Sequence, residues 1–103
     1  MASVIVLYTA PQDPEGFDAH YRDTHVPLAK ALPNLSEMRA HRILGTPRGG
    51  DAAYYLQAEL VFPTNQDMMS SLMSEAGMDV SRDAMHMTQT FGCNAEIMLA
   101  EDL

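Results

Sequence analysis

Val4-Ile5-Val6-Leu7-Tyr8 is an unbroken run of β-branched and apolar residues, and it stops at Pro11-Gln12-Asp13-Pro14. A run this short, without alternation, fits a strand covered on both faces. The prolines behind it forbid its continuation. The next stretch has a different period. Asp13 can cap a helix with Pro14 at its first position and Glu15 in its first turn. Phe17, Tyr21, Thr24, Leu28 and Leu32 then form one apolar stripe on a 100° wheel, with Asp18, Arg22, Asp23 and Lys30 off it. Pro27 cannot donate to the carbonyl of Asp23 and should bend this helix. The spacing predicts its end near Leu32-Pro33-Asn34.

The remaining segments complete a pattern. Ser36 to Thr46 reads as a second strand, and its Glu37, Arg39, His41 and Arg42 suit a sheet edge. Pro47-Arg48-Gly49-Gly50-Asp51 is a hairpin loop. Tyr54 to Phe62 alternates, with Tyr54, Leu56, Ala58, Leu60 and Phe62 on one face and Tyr55, Gln57, Glu59 and Val61 on the other. A second helix begins after Pro63, capped by Thr64. Its buried side is expected to be Met68, Met69, Leu72, Met73 and Ala76, and Gly77 its stop. Met78 to Met87 is ambiguous, a short extra helix being one option. Phe91 to Ala100 reads as the last strand.

The order β-α-β-β-α-β is the ferredoxin-like, split-βαβ pattern of an α+β fold. It predicts one domain over residues 1–103, a four-stranded antiparallel sheet with both helices on one face. The other face would carry the apolar residues of the first strand with Tyr55 and Val61. Such a patch is rarely left in water, so a homodimer with two sheets face to face is expected. A chain of 103 residues also has little surplus stability of its own.

Charge and motifs exclude several functions. With 14 acidic against 6 basic residues the net charge is −8, which repels phosphate backbones and anionic headgroups, so no nucleic-acid or membrane partner is expected. The longest apolar run falls far short of the roughly 18 residues of a membrane span. Met1-Ala2-Ser3 supplies no basic start for a signal peptide. The lone cysteine, Cys93, permits no disulfide within the chain and fits a reducing cytoplasm. GxGxxG, P-loop, HExxH, CxxC and G-x-S-x-G patterns are absent, which argues against a nicotinamide or flavin cofactor and a metal.

The stretch Phe17-Asp18-Ala19-His20-Tyr21-Arg22-Asp23-Thr24-His25-Val26-Pro27-Leu28-Ala29 carries Phe-Asp-x-His-Tyr and His-x-Pro-Leu pieces. These resemble the start of the EthD family, within the dimeric α+β-barrel superfamily. The resemblance covers about residues 3–46. The region Met78 to Phe91 departs from the family pattern, although Asp83 matches its Asp. The resemblance implies a dimeric barrel. It also implies either an accessory protein of ether degradation, in a family often labelled reductase, or kinship with cofactor-free monooxygenases, muconolactone isomerases and polyketide cyclases.

Within this frame the candidate acid–base residue is His25. It lies roughly 50° from the centre of the apolar stripe and should face the sheet or the edge of a cleft under the helix. The competing reading is a buried histidine satisfied by a backbone carbonyl. Partial burial would lower the His25 pKa and a nearby carboxylate would raise it; Asp18, seven residues back and roughly 20° away on the wheel, is one carboxylate that could serve. His20 lies roughly 140° around from His25 on an α-helical wheel, which is wrong for two metal ligands on one face. It is an assisting group at the cleft mouth, or a boundary residue. Tyr21 could donate to a bound carbonyl, or be core. Asp23 should be solvated. Phe17, Leu28, Met69 and Met73 are the expected contacts for a small apolar ligand. The methionines, nine in all, would otherwise be core filler. Arg39, His41, Gln57, Glu59, Asn94 and Glu96 fit a dimer interface, and Cys93 should be inert. The expected function is binding of a small apolar carbonyl or ring compound, with cofactor-independent acid–base chemistry or an accessory role as alternatives.

Overall fold

The computed structural model describes residues 1–103. Four strands, β1 (Ala2–Tyr8), β2 (Glu37–Arg42), β3 (Leu56–Phe62) and β4 (Ala95–Glu101), form one antiparallel sheet in the order β2-β3-β1-β4. The helices are α1 (Pro14–His20), α2 (Val26–Lys30), α3 (Asn65–Leu72) and α4 (Glu75–Phe91), with a π-helical turn at Tyr21–His25 joining α1 to α2. This is the expected ferredoxin-like α+β arrangement, with the helices on one face. No helix is long and apolar enough to cross a membrane.

Alternation sorts the strands into two faces. Val4 lies between Leu60 and Leu99, and Val6 between Ala58 and Ile97. These residues point to the helices, where Val4, Val6, Leu60 and Ala58 join a core with Phe17, Phe62, Met68 and Met87. Ser3, Ile5 and Leu7 point to the open face. The alternation fails at one expected place. Tyr55 turns under α1, packing edge-on to Phe17 at 5.8 Å and donating its hydroxyl to Asp18 at 2.8 Å. Tyr54 reaches Glu96 instead, at 2.7 Å. Both residues precede β3, and the Tyr55 N–H reaches the Tyr8 carbonyl at 2.7 Å although Tyr8 pairs with Leu56, so the register slips here and the period of two does not carry through.

The first helix begins as expected: Asp13 accepts from the Gly16 N–H at 3.1 Å, and Pro14 takes the first position. It does not merely bend at Pro27. It widens before it, where the Val26 N–H reaches back five residues to the Tyr21 carbonyl. One extra residue in a turn rotates everything beyond it. Thr24 and Leu28 therefore leave the buried stripe, Thr24 exposed and Leu28 half-buried, and His25 and Ala29 take their places.

The second helical region is two helices. Thr64 caps α3 by accepting from Asp67 N–H at 3.0 Å. Gly77 is no stop. It lies in the first turn of α4, where its N–H donates to the capping Ser74 hydroxyl at 3.1 Å. The stop is Gly92, with φ +72°, so residues 78–91 are helix and the last strand starts at Ala95, later than expected. The rotation of α3 buries Met68 and turns Met69 and Met73 outward, the latter 73% exposed.

Candidate functional site

A cavity of about 60 Å³ lies between the sheet and the helices. β1 supplies Val4, Val6 and Tyr8 to its wall, β3 Ala58 and Leu60, and α4 Gly77, Val80 and Ala84. Tyr21 and His25 come from the π-helical turn. Nearly all of the lining is apolar, and it contains no lysine, arginine or carboxylate.

His25 is 6% exposed. Its Nδ1 donates to Oδ2 of Asp83 at 2.8 Å. The proton is thereby fixed on Nδ1, and Nε2, which has no protein partner, keeps its lone pair. Burial pushes the imidazole below its ordinary pKa, outweighing the upward pull of the Asp83 hydrogen bond and charge, and the nearby His20 lowers it further. His25 is thus a neutral base at neutral pH.

Asp83, on α4, accepts a second bond. His20 Nε2 donates to Oδ1, also at 2.8 Å. Burial alone would raise this carboxyl, but the hydrogen bonds from His20 and His25, and their charge, hold it below the usual range. Five residues separate the two histidines. On an α-helix they would point apart, but a π-helical turn stacks residues five apart, and so one carboxylate serves both.

Tyr21 is 6% exposed, and its ring stacks on that of His25 with centroids 5.4 Å apart. Its buried hydroxyl has no hydrogen-bond partner. A buried hydroxyl left unpaired costs roughly 1–3 kcal/mol, which a ligand oxygen would recover. Burial raises its pKa to about 12, so it stays protonated and remains a donor. Tyr8, raised by burial and then by the proximity of Tyr21, stays neutral as well.

Several expected contacts sit elsewhere. Phe17 is wholly buried among the rings of Tyr8, Tyr21, Tyr55 and Phe91, behind the cavity wall. Leu28 is rotated off the wall, and Met69 and Met73 face away from it. Asp18 is not the carboxylate of His25. It accepts from Tyr55 and, at 2.8 Å, from Arg42, tying α1 to β2. The residue that sequence reasoning missed as a functional group is Asp83. Its signal was present: Ala76, Val80, Ala84, Met87 and Phe91 mark a helical stripe, and Asp83 flanks it. No group of three or more His, Cys, Asp or Glu side chains is arranged to hold a metal ion.

The EthD domain model matches residues 10–90. An uncharacterized 11.0 kDa protein of the thcB–thcC intergenic region of Rhodococcus erythropolis is 30% identical over 83 residues, 81% of this chain and 80% of that one. Among solved structures, an ethyl tert-butyl ether d (EthD) family protein from Bacillus halodurans superposes with a TM-score of 0.91 at 30% identity, covering 100% of this chain and 99% of that one. A cofactor-independent oxygenase from Streptomyces nogalater, SnoaB, gives a TM-score of 0.70 at 13% identity, over 98% and 91% of the two chains, a likeness of fold.

Proposed function

The chain belongs to the EthD family, and on that premise we propose that it binds a small apolar carbonyl or ring compound in the cavity and moves a proton on it without a cofactor. One observation carries this reading: a neutral imidazole Nε2 and an unpartnered tyrosine hydroxyl belong to stacked residues that line the same apolar space. Tyr21 O–H donates to the carbonyl oxygen. His25 Nε2 takes a proton from the adjacent carbon, and the C–H electron pair becomes the enolate, whose oxygen Tyr21 holds. The imidazolium then returns the proton to the same or another carbon, so nothing is oxidised or reduced. Asp83 supports the imidazolium while it exists, as a carboxylate behind an imidazole does. The likeness to a cofactor-independent oxygenase supports the absence of a cofactor in this chemistry.

The test uses small ketones, acetone and cyclopentanone, in deuterated water, with α-proton exchange followed by NMR. The protein should accelerate exchange. His25→Gln should reduce that acceleration roughly 10²–10⁴-fold, the usual general acid–base contribution. Tyr21→Phe should weaken binding and slow exchange while leaving the protein as stable or more so, because the hydroxyl it removes has no partner. Binding without any acceleration would instead identify a binding or accessory protein. A fully active His25→Gln would remove His25 from the mechanism.

A further inference from the structure

His20 has no place in the cavity wall, yet its Nε2 N–H goes to the carboxylate that orients His25. Side-chain exposure falls along the series, from 19% at His20 to 12% at Asp83 and 7% at His25. The helix leaves α geometry between the two histidines, and it is this turn that brings both to one side chain. Hydrogen bonds to the charged form of a carboxylate stabilise that form. Two donors therefore share one negative charge, and each makes the carboxylate a weaker partner for the other.

Building on the acid–base reading of the cavity, we infer that His20 is a positioning residue for His25. Its hold on Oδ1 fixes the rotation of the Asp83 carboxylate and moderates its pull. His25 then remains a neutral base with Nε2 open to the cavity, and does not collapse into an imidazolium–carboxylate pair. Without the His20 bond, the full charge of Asp83 would fall on the Nδ1 proton, and protonation at Nε2 would become easier.

The titratable groups that face the pair are few. Tyr21 stacks on His25 from the same helix, and Tyr8 reaches the cavity from β1. Both are held neutral by burial. From α4 come Asp83 itself and His86, whose ring centre lies 5.4 Å from that of His20. A ring placed at position 20 only to pack on Phe91, 5.7 Å away, could be replaced by phenylalanine with no effect on His25.

The experiment follows the His25 ring signals by NMR against pH in the full-length protein, in a His86→Gln background so that this neighbour does not titrate. His20→Phe, which keeps a ring and loses the donor, should raise the His25 midpoint by about one pH unit. His20→Gln, whose amide can donate to Oδ1, should leave it near the value of the background protein. A midpoint unmoved or lowered in His20→Phe overturns the inference. Should His20→Phe fail to fold, the background protein decides alone: the His25 signals should show a second inflection at the His20 midpoint, as coupled groups do. Independent single-step curves would overturn it. Neither readout needs turnover, so a failed exchange assay with ketones would count against the acid–base reading and leave this result separately legible.

Discussion

The residue that decides most is His25, and the pH dependence of folding reports on it. Its folded pKa lies below the unfolded value, about 6.5. Below that pH the unfolded chain takes up a proton that the folded chain refuses, so stability must fall as the solution is acidified toward the folded pKa. Asp83 acts further down the scale. Its folded pKa is depressed, so its contribution is complete above its unfolded value and is lost as pH falls through the folded one. Urea unfolding at a series of pH values should show stability declining from about pH 6.5 downward, and His25→Gln should flatten that first decline. An unchanged slope in the variant would mean that His25 takes up its proton alike in the folded and unfolded chains. At this scale the sequence was only partly legible. His25 and Tyr21 could be singled out because histidine and tyrosine on an apolar stripe need a reason to be there. Their third partner could not. Asp18 was the carboxylate on the same side of the helical wheel, roughly 20° from His25, whereas Asp83 is 58 residues away in the chain and meets His25 only after α4 has docked.

Elements were legible where one local rule acted alone. The caps at Asp13 and Thr64 were readable because a short polar side chain before a helix has one favourable use there. Two positions defeated the local rules. The π-helical turn could not be read from a 100° wheel, since the wheel assumes the geometry that the turn abandons; Pro27 marked the place but not the outcome. Gly77 looked like a stop because glycine so often ends helices. Here it is glycine for space. A methyl group added at position 77 would collide with the carbonyl oxygens of Ser71 and Leu72 and lie 2.7 Å from the Leu72 carbonyl carbon. Two effects then oppose each other in Gly77→Ala. Helix propensity favours alanine by about 1 kcal/mol. Overpacking against rigid backbone costs roughly 1–3 kcal/mol, and the backbone of α3 cannot swing aside as a side-chain tip can. The clash should win. Chemical denaturation should show a net loss of up to about 2 kcal/mol. Because Gly77 also lines the cavity, ketone binding should weaken with it. A stabilised variant would show that α3 and α4 part easily.

At the scale of the whole molecule, element order and layer arrangement followed from the alternation between periods of two and 3.6, because the hydrophobic face of each element admits few partners. What the chain leaves uncovered is the face of the sheet away from the helices. Ile5 and Leu7 of β1 and the half-exposed Met98 of β4 lie on it, among Glu37, Arg39, His41, Gln57 and Glu59 of the neighbouring strands, while Val61 of β3, expected there as well, is only 8% exposed and already buried within the chain. A central apolar strip with a polar surround is the anatomy of a protein interface. The occupant we expect is a second copy packed sheet to sheet, since the face presents the same strip to its own image. A stable pair would bury about 800 Å² on each copy, a modest part of the 6406 Å² that the single chain exposes. Charge works against association, for two copies of a chain at −8 repel one another. Salt screens that repulsion within about 10 Å at 0.1 M, while the apolar strip is indifferent to it. Light scattering at micromolar concentration should therefore return about twice the 11.3 kDa chain mass, and the pair should tighten as salt is added. Ile5→Asp places a charge at the middle of the strip without touching the helix-side core, and it should yield a folded monomer. A wild-type chain that scatters as a monomer, or an Ile5→Asp chain that remains paired, would place any contact between copies on another surface. The next surface to examine would then be the exposed edge of β4, where Ile97 and Leu99 stand uncovered on the helix side.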